Sequence, residues 1–197
     1  RMLQDLGYIS RKKAVGTIVE SAHPGASYTQ SFGTAEDLVR VAATEVRAIE
    51  AVRDITLDRA LARRLEAPIG SAWVLLSGTR VDARKGQTPV AVADIYIEAT
   101  LAGLVDTIRN SPQVLVSALI EREYAIAIAE IRQTITATLI ESPLADQLGV
   151  EAGTAGMRLV RQYKDSAGRI LEITDTVYPA DRVSVSFPLR RGRHAGA

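Results

Sequence analysis

The chain has no cysteine, and this excludes disulfides, thiolate metal sites and cysteine nucleophiles. It is also compatible with a reducing compartment such as the cytoplasm. Imidazole is nearly as scarce. Only His23 and His194 are present, both near chain ends in loop-like sequence, so a histidine-based triad or zinc centre is not expected. No G-x-S-x-G elbow and no glycine-rich phosphate loop occurs. The longest largely apolar stretches reach about seven residues, as in Val114 to Ile120 with Ser117 inside it, far short of a membrane span. The N-terminus has no apolar stretch of the signal-peptide type and no initiator methionine, so a fragment of a longer protein is expected. An excess of charge of either sign is missing too, with 24 Lys and Arg against 23 Asp and Glu. The net charge is only +1, and any nucleic-acid surface must be local.

What is present suits a soluble globular fold: 197 residues, 47% hydrophobic and 24% charged. The strongest internal signal is a repeat. Leu61, Ala62, Leu65, Gly70, Ala72 and Asp82 recur 83 residues later as Leu144, Ala145, Leu148, Gly153, Ala155 and Asp165. One deletion in the following turn then aligns Gly86 with Gly168 and Tyr96 with Tyr178, at an offset of 82. Two copies make one supersecondary unit used twice; a solenoid needs three or more.

Each unit reads as strand, helix, strand, turn, strand. The first long strand covers about Thr44–Leu57, where β-branched and charged residues alternate. Asp58 caps a helix over Arg59–Glu66, with Leu61 and Leu65 on one face and Pro68 and Gly70 ending it. Strands over Ala72–Val81 and Pro89–Ile97 follow. Short helices are expected over Thr100–Arg109 and Gln113–Glu123. The second unit starts with a strand over Ala125–Ile140. Ser142 is placed as the cap of a helix Pro143–Leu148, with proline in the first turn. The hairpin Ala155–Lys164 and Gly168–Tyr178 closes the unit, and Pro179–Leu189 adds an edge segment. Another helix starts at Thr34, where Asp37 nearly completes a capping box. The fold class is therefore α+β, a mostly antiparallel six-stranded sheet with helices and an internal duplication.

Upstream, Arg1–Leu6 ends a helix at Gly7, and residues 8–19 form a hairpin whose connection carries Arg11, Lys12, Lys13 and Gly16. By the residues alone it is either a solvated charged hairpin or a wing that lies along a sugar-phosphate backbone. His23–Gly33 is rich in Gly, Ser, Thr and Pro and reads as a linker. Arg190–Ala197 reads as a disordered basic tail.

Two segments carry a family resemblance. Leu3, Leu6, Gly7, Ile9, Arg11, Gly16, Thr17 and Val19 resemble the closing segment of the winged-helix domain of GntR-family bacterial regulators. The A-x-x-L-x(4)-G signature before each hairpin resembles the UTRA effector domain of the HutC subfamily, as do Gly168, Ile170, Leu171, Glu172, Thr174, Tyr178, Asp181 and Arg182. This resemblance implies a chorismate-lyase-like fold. It divides the chain into the end of a truncated winged helix (1–20), a linker (21–33), a UTRA domain (34–189) and the tail (190–197). It also implies a cytoplasmic homodimeric regulator that senses a carboxylate, amino-acid-like or sugar-derived metabolite and binds operator DNA through Arg11, Lys12, Lys13, Gly16 and Thr17. No cofactor, metal or membrane partner is implied. The competing reading is a small-molecule enzyme of chorismate-lyase-like fold, although fold does not fix function.

Side chains alternate along a strand, so Leu171, Ile173 and Val177 are expected on one side, with Glu172, Thr174, Thr176 and Tyr178 on the other. In the first copy the same row is Val90, Val92, Asp94 and Tyr96. The duplication suggests that the two rows meet around one ligand; the alternative is a solvated sheet face. The resemblance assigns effector contacts to Glu172 and Tyr178. The family's R-x-R pair before the first turn survives only as Arg80, with Gly78 at the other position; Arg161, the repeat partner of Gly78, is the expected substitute. The family's glutamate falls near Ala93, beside Asp94. The full candidate set is Arg80, Asp94, Tyr96, Arg161, Tyr163, Glu172, Thr174 and Tyr178. An ion pair of Arg80 with Asp82 or Asp94 is the plainer alternative for that residue.

Overall fold

A computed structural model describes residues 45–82 and 88–186, together with the strand backbones at 9–12, 16–19 and 28–31. The main sheet has six antiparallel strands: β4 (Glu45–Thr56), β5 (Ala72–Asp82), β6 (Pro89–Glu98), β7 (Glu130–Ile140), β8 (Thr154–Lys164) and β9 (Ile170–Pro179). Their spatial order is β4-β5-β6-β9-β8-β7. Each copy of the repeat is thus three neighbouring strands, and the copies join through β6 and β9 at the centre.

The helices are α1 (Arg59–Leu65), α2 (Val105–Asn110), α3 (Val116–Tyr124) and α4 (Leu144–Leu148), with a 3₁₀ helix at Ala99–Leu104 leading into α2. On one face of the sheet, the back face here, lie the two repeat helices. Helix α1 packs over Trp73, Leu75, Tyr96, Val160 and Ile173. Helix α4 packs over Val92 and Val177. On the opposite, front face the 3₁₀ helix, α2 and α3 cover Val74, Leu76, Ile95 and Ile97. Among the described residues no helix is long and apolar enough to cross a membrane.

Local chemistry explains the ends of the elements. The Asp58 side chain accepts the Leu61 N–H at 2.8 Å, as expected of an N-cap. Helix α1 ends one residue earlier than Pro68 and Gly70 suggest. Glu66 takes the left-handed conformation, and the Gln162 amide donates to the Leu65 and Glu66 carbonyls, both at 2.8 Å. Those carbonyls have no partner inside the helix, so a side chain from β8 supplies one. Ser142 does not cap α4. The Ser142–Pro143 bond is cis, Pro143 itself is the N-cap, and no side-chain capping bond forms. Strand β7 starts at Glu130 rather than Ala125, because Ala125 ends α3 in the left-handed region.

The expected hairpin near the N-terminus forms, with β1 (Ile9–Lys12) antiparallel to β2 (Gly16–Val19). Arg11 and Lys12 are in strand β1 rather than in the connection; Arg11 pairs with Thr17 and Lys12 with Gly16. Lys13 lies outside the described residues, as do the helix expected from Thr34 and the tail at 190–197. The edge-segment expectation needs correction. Within His23–Gly33, Tyr28–Ser31 is strand β3, and it pairs in parallel with β10 (Val183–Ser186). Strand β10 does not extend the six-stranded sheet.

Candidate functional site

Six of the eight candidate effector residues come together. Cross-strand partners share a face. On the front face Arg80 of β5 pairs with Ala91 of β6, and Thr174 and Thr176 of β9 pair with Ile95 and Ala93. In β8, Arg161 pairs with Thr174, Tyr163 with Glu172 and Met157 with Tyr178. The front face therefore carries Arg80, Arg161, Tyr163, Glu172, Thr174 and Tyr178 together. Sequence reasoning missed Glu45 and Arg47 of β4, which pair with Asp82 and Arg80 and complete the cluster. Their only signal was alternation: they sit two apart at the start of a long strand.

Asp94 and Tyr96 are on the back face, so the expected meeting of two equivalent rows does not occur. Asp94 pairs with Asp175 and Tyr96 with Ile173. The physical reason is register. Arg80 pairs with Ala91, and Tyr163, which is 83 residues on, pairs with Glu172. Ala91 thus corresponds to Glu172 at an offset of 81, not 82. A slip of one residue moves a whole row to the other face. Leu171 also departs from its expected side. It is bulged out between the pairs Tyr163–Glu172 and Lys164–Ile170, and it joins the front-face core.

The corrected alignment exposes a polarity difference between the copies. Where β6 offers Ala91, Ala93, Ile95 and Ile97 to the front face, β9 offers Glu172, Thr174, Thr176 and Tyr178. All four polar residues are at most 2% exposed. Gly78 departs from the R-x-R pattern for a backbone reason. A Cβ there would lie 1.9 Å from the Ala48 carbonyl oxygen, beside the bulge in β4. Arg161 fills the equivalent place in the second copy.

The cluster is held by specific contacts. The Tyr178 hydroxyl donates to Glu45 Oε2 at 3.2 Å, and Arg80 Nη1 is 3.7 Å from the same oxygen. Arg80 therefore pairs with Glu45, not with Asp94. Arg161 Nε donates to Gln133 Oε1 at 2.6 Å. Arg47 donates to the carbonyls of Val114 and Ser111 at 2.7 and 2.8 Å, which fixes the loop before α3. Helix α3 in turn brings the Ser117 N–H to Glu172.

Burial dominates the electrostatics. It pushes Glu172 up to about 7, against the opposing pull of Arg47, Arg80 and Arg161. Burial and the neighbouring Arg80 lower Arg47 to about 10. Burial, aided by Glu172, raises Tyr163 to about 12. For Arg80 burial acts downward, but the oxygens of Tyr178 and Glu45 outweigh it and the net direction is up. Several atoms here have no protein partner: Glu172 Oε2, Thr174 Oγ1, Thr176 Oγ1 and Arg80 Nε. Buried polar groups are nearly always satisfied, so these atoms are left to water or to a bound polar group. Chemically, guanidinium, carboxyl and hydroxyl groups side by side suit a small ligand with both an anionic and a hydrogen-bonding part.

On the back face, Asp175 binds Arg158 at 2.8 Å and Arg64 at 3.1 Å, and the Tyr96 hydroxyl reaches Asp94 at 3.5 Å. Asp175 is raised, chiefly by burial. These residues tie α1 to the sheet at the centre of the pseudo-symmetry.

The chain matches the model of the UTRA domain family over residues 40–184, most of its length, and it belongs to that family. The solved structures similar to it share the fold. PhnF from Mycobacterium smegmatis has a TM-score of 0.69 at 23% identity, covering 98% of this chain and 82% of that one. The effector domain of PhnF has a TM-score of 0.66 at 21% identity, with 83% and 100% covered. A GntR-family transcriptional regulator from Enterococcus faecalis V583 has a TM-score of 0.59 at 18% identity, with 74% and 99% covered. No curated protein sequence matches the chain.

Proposed function

We propose that this chain is the effector-binding and dimerisation part of a GntR-family transcription regulator of the HutC type. The observation that carries the reading is the front-face cluster. Arg80, Arg161, Tyr163, Glu172, Thr174 and Tyr178 are buried side by side, with unpartnered polar atoms on Glu172 and Thr174. The effector is a small polar metabolite with an anionic group facing Arg80 and Arg161 and a hydrogen-bonding part facing Glu172, Thr174 and Tyr178. Membership of the UTRA family and the naming of similar structures as GntR-family regulators support this assignment. The β1–β2 hairpin is the wing of a DNA-binding domain, and Arg11, Lys12, Lys13, Gly16 and Thr17 are its DNA-binding residues.

The mechanism is linkage. An effector that prefers one arrangement of the paired DNA-binding domains shifts operator affinity by its differential binding energy. The route to the linker is short. Val183 of β10 packs with Tyr178 and Ala91, and β10 is hydrogen-bonded to β3 inside the linker. The test is a thermal-shift screen of carboxylates, amino acids and sugar phosphates, repeated on Arg80→Ala and Glu172→Gln. Ligand stabilisation that is unchanged in both variants rejects the site.

A further inference from the structure

Within the front-face cluster, Glu172 keeps a buried carboxyl oxygen, Oε2, without a hydrogen-bond partner. Three guanidinium groups act on its charge: Arg47 from β4, Arg80 from β5 and Arg161 from β8. Their bonds go elsewhere. Arg47 donates to the carbonyls of Val114 and Ser111, Arg161 donates to Gln133 and to the Tyr163 oxygen, and Arg80 lies against Glu45. The carboxyl does receive the Ser117 N–H of α3. Two residues along β9, on the same face, the buried Thr174 hydroxyl also lacks a partner. Two oxygens in this relation await a ligand group that donates hydrogen bonds.

A hydroxyl or an ammonium can bridge them, and charge decides between the two. Arg47, Arg80 and Arg161 are balanced by Glu45, Asp82 and Glu172, all buried. An anionic ligand group against Arg80 therefore leaves one negative charge in excess. An uncompensated buried charge is strongly unfavourable. Either Glu172 takes up a proton, or the ligand brings a cation. Ser117 and the three arginines all favour the ionised carboxyl, with burial opposing them. A cationic ligand group keeps those interactions, and a proton on Glu172 weakens them.

We propose that the effector is a zwitterion, with an anionic group against Arg80 and a protonated amine held between Glu172 Oε2 and the Thr174 hydroxyl. The inference rests on the effector-site reading above and adds the ligand's second charge.

The two alternatives move protons in opposite directions. Burial holds Glu172 at about 7 in the free chain, so about half of the molecules carry the proton at pH 7. An ammonium beside the carboxyl favours its ionised form. Binding then releases up to about half a proton at pH 7, and affinity rises between pH 6 and 8. A ligand with a hydroxyl in place of the amine takes a proton up instead.

Matched pairs supply the test. The panel holds the common amino acids, β-alanine, γ-aminobutyrate and amino-sugar phosphates, each beside its counterpart with a hydroxyl in place of the amine. Thermal shift selects the strongest pair. Calorimetry at pH 7, in two buffers of different ionisation enthalpy, then measures affinity and proton exchange. It uses the parent chain, Thr174→Val, Glu172→Gln and Arg80→Ala. The expected result is an amine member that binds at least about tenfold tighter than its hydroxyl counterpart and releases protons. Glu172→Gln abolishes both the preference and the release. Thr174→Val, of similar shape but without the hydroxyl, weakens the amine member and keeps the release. Equal binding of both members overturns the inference, as does proton uptake by the amine member. So does a panel in which no amine member raises the melting temperature. Where a hydroxyl member binds and Arg80→Ala abolishes that binding, the effector site stands and the amine assignment alone falls. Binding that is indifferent to both Arg80→Ala and Glu172→Gln removes the site as well.

Discussion

Tyr178 and Glu45 are 133 residues apart in sequence, yet the Tyr178 hydroxyl donates to the buried Glu45 carboxylate at 3.2 Å. The contact ties the end of β9 to the start of β4. It also holds the carboxylate against which Arg80 is placed, at 3.7 Å. Tyr178→Phe keeps the ring and removes the donor. A hydrogen bond to a charged group is worth about 1.5–3 kcal/mol. Urea unfolding should therefore show a loss of about that size with an unchanged m-value. No loss would mean that the contact contributes nothing to stability.

A second prediction concerns Gly78. Its place opposite the β4 bulge leaves no room for a Cβ, with the Ala48 oxygen at 1.9 Å. Gly78→Ala should cost about 1–3 kcal/mol through forced backbone displacement. Gly78→Arg, which would restore the R-x-R pattern, should cost more rather than rescue binding. Thermal unfolding of the two variants distinguishes this from a merely tolerant position.

Glu172 sets a pH dependence. Burial raises its pKa from an ordinary 4.5 to about 7. Below about pH 4.5 the carboxyl is protonated in both folded and unfolded chains, and it carries no penalty. As pH rises toward 7 the unfolded chain ionises first, so folding loses free energy, and the loss levels off above 7 at about 3 kcal/mol. Glu172→Gln cannot ionise. Its stability relative to the parent chain should improve by about that amount between pH 4.5 and 8. A difference that does not vary with pH would contradict the buried, high-pKa carboxyl.

Asp175 supplies the back-face counterpart. Its partners Arg158 and Arg64 are partly exposed, and removing the carboxylate charge leaves them access to water. Asp175→Asn should destabilise by about 1–2 kcal/mol without altering ligand binding, because it faces α1 on the back of the sheet and the sheet separates it from the cluster. Parallel denaturation and ligand titration check both halves of that statement.

Much of this was legible in the sequence. Alternation placed the strands, Asp58 announced α1, and the repeat gave the two three-stranded halves of the sheet. Within β9 the polar row Glu172, Thr174, Thr176 and Tyr178 was read correctly. What failed was the relation between strands. Tyr96 and Tyr178 look like equivalents in sequence, but the hairpins differ by two residues rather than one, and the two tyrosines face opposite sides. The turn that absorbs this difference leaves no residue signature. Bulges at Glu50, Val90 and Leu171 shift parity in the same silent way. Pairing of β3 with β10 was equally hidden, because four polar and aromatic residues in a Gly-, Ser- and Pro-containing stretch read as linker whether or not a partner strand is near.

The central claim is that the effector is held on the front face by Arg80 and Glu172. Calorimetric titration of the ligand that most raises the melting temperature tests it directly, using the parent chain, Arg80→Ala, Glu172→Gln and the back-face variant Tyr96→Phe. The account predicts at least about tenfold weaker binding in the first two variants and parent-like binding in Tyr96→Phe. Parent-like binding in Arg80→Ala and Glu172→Gln, with loss in Tyr96→Phe, would contradict it.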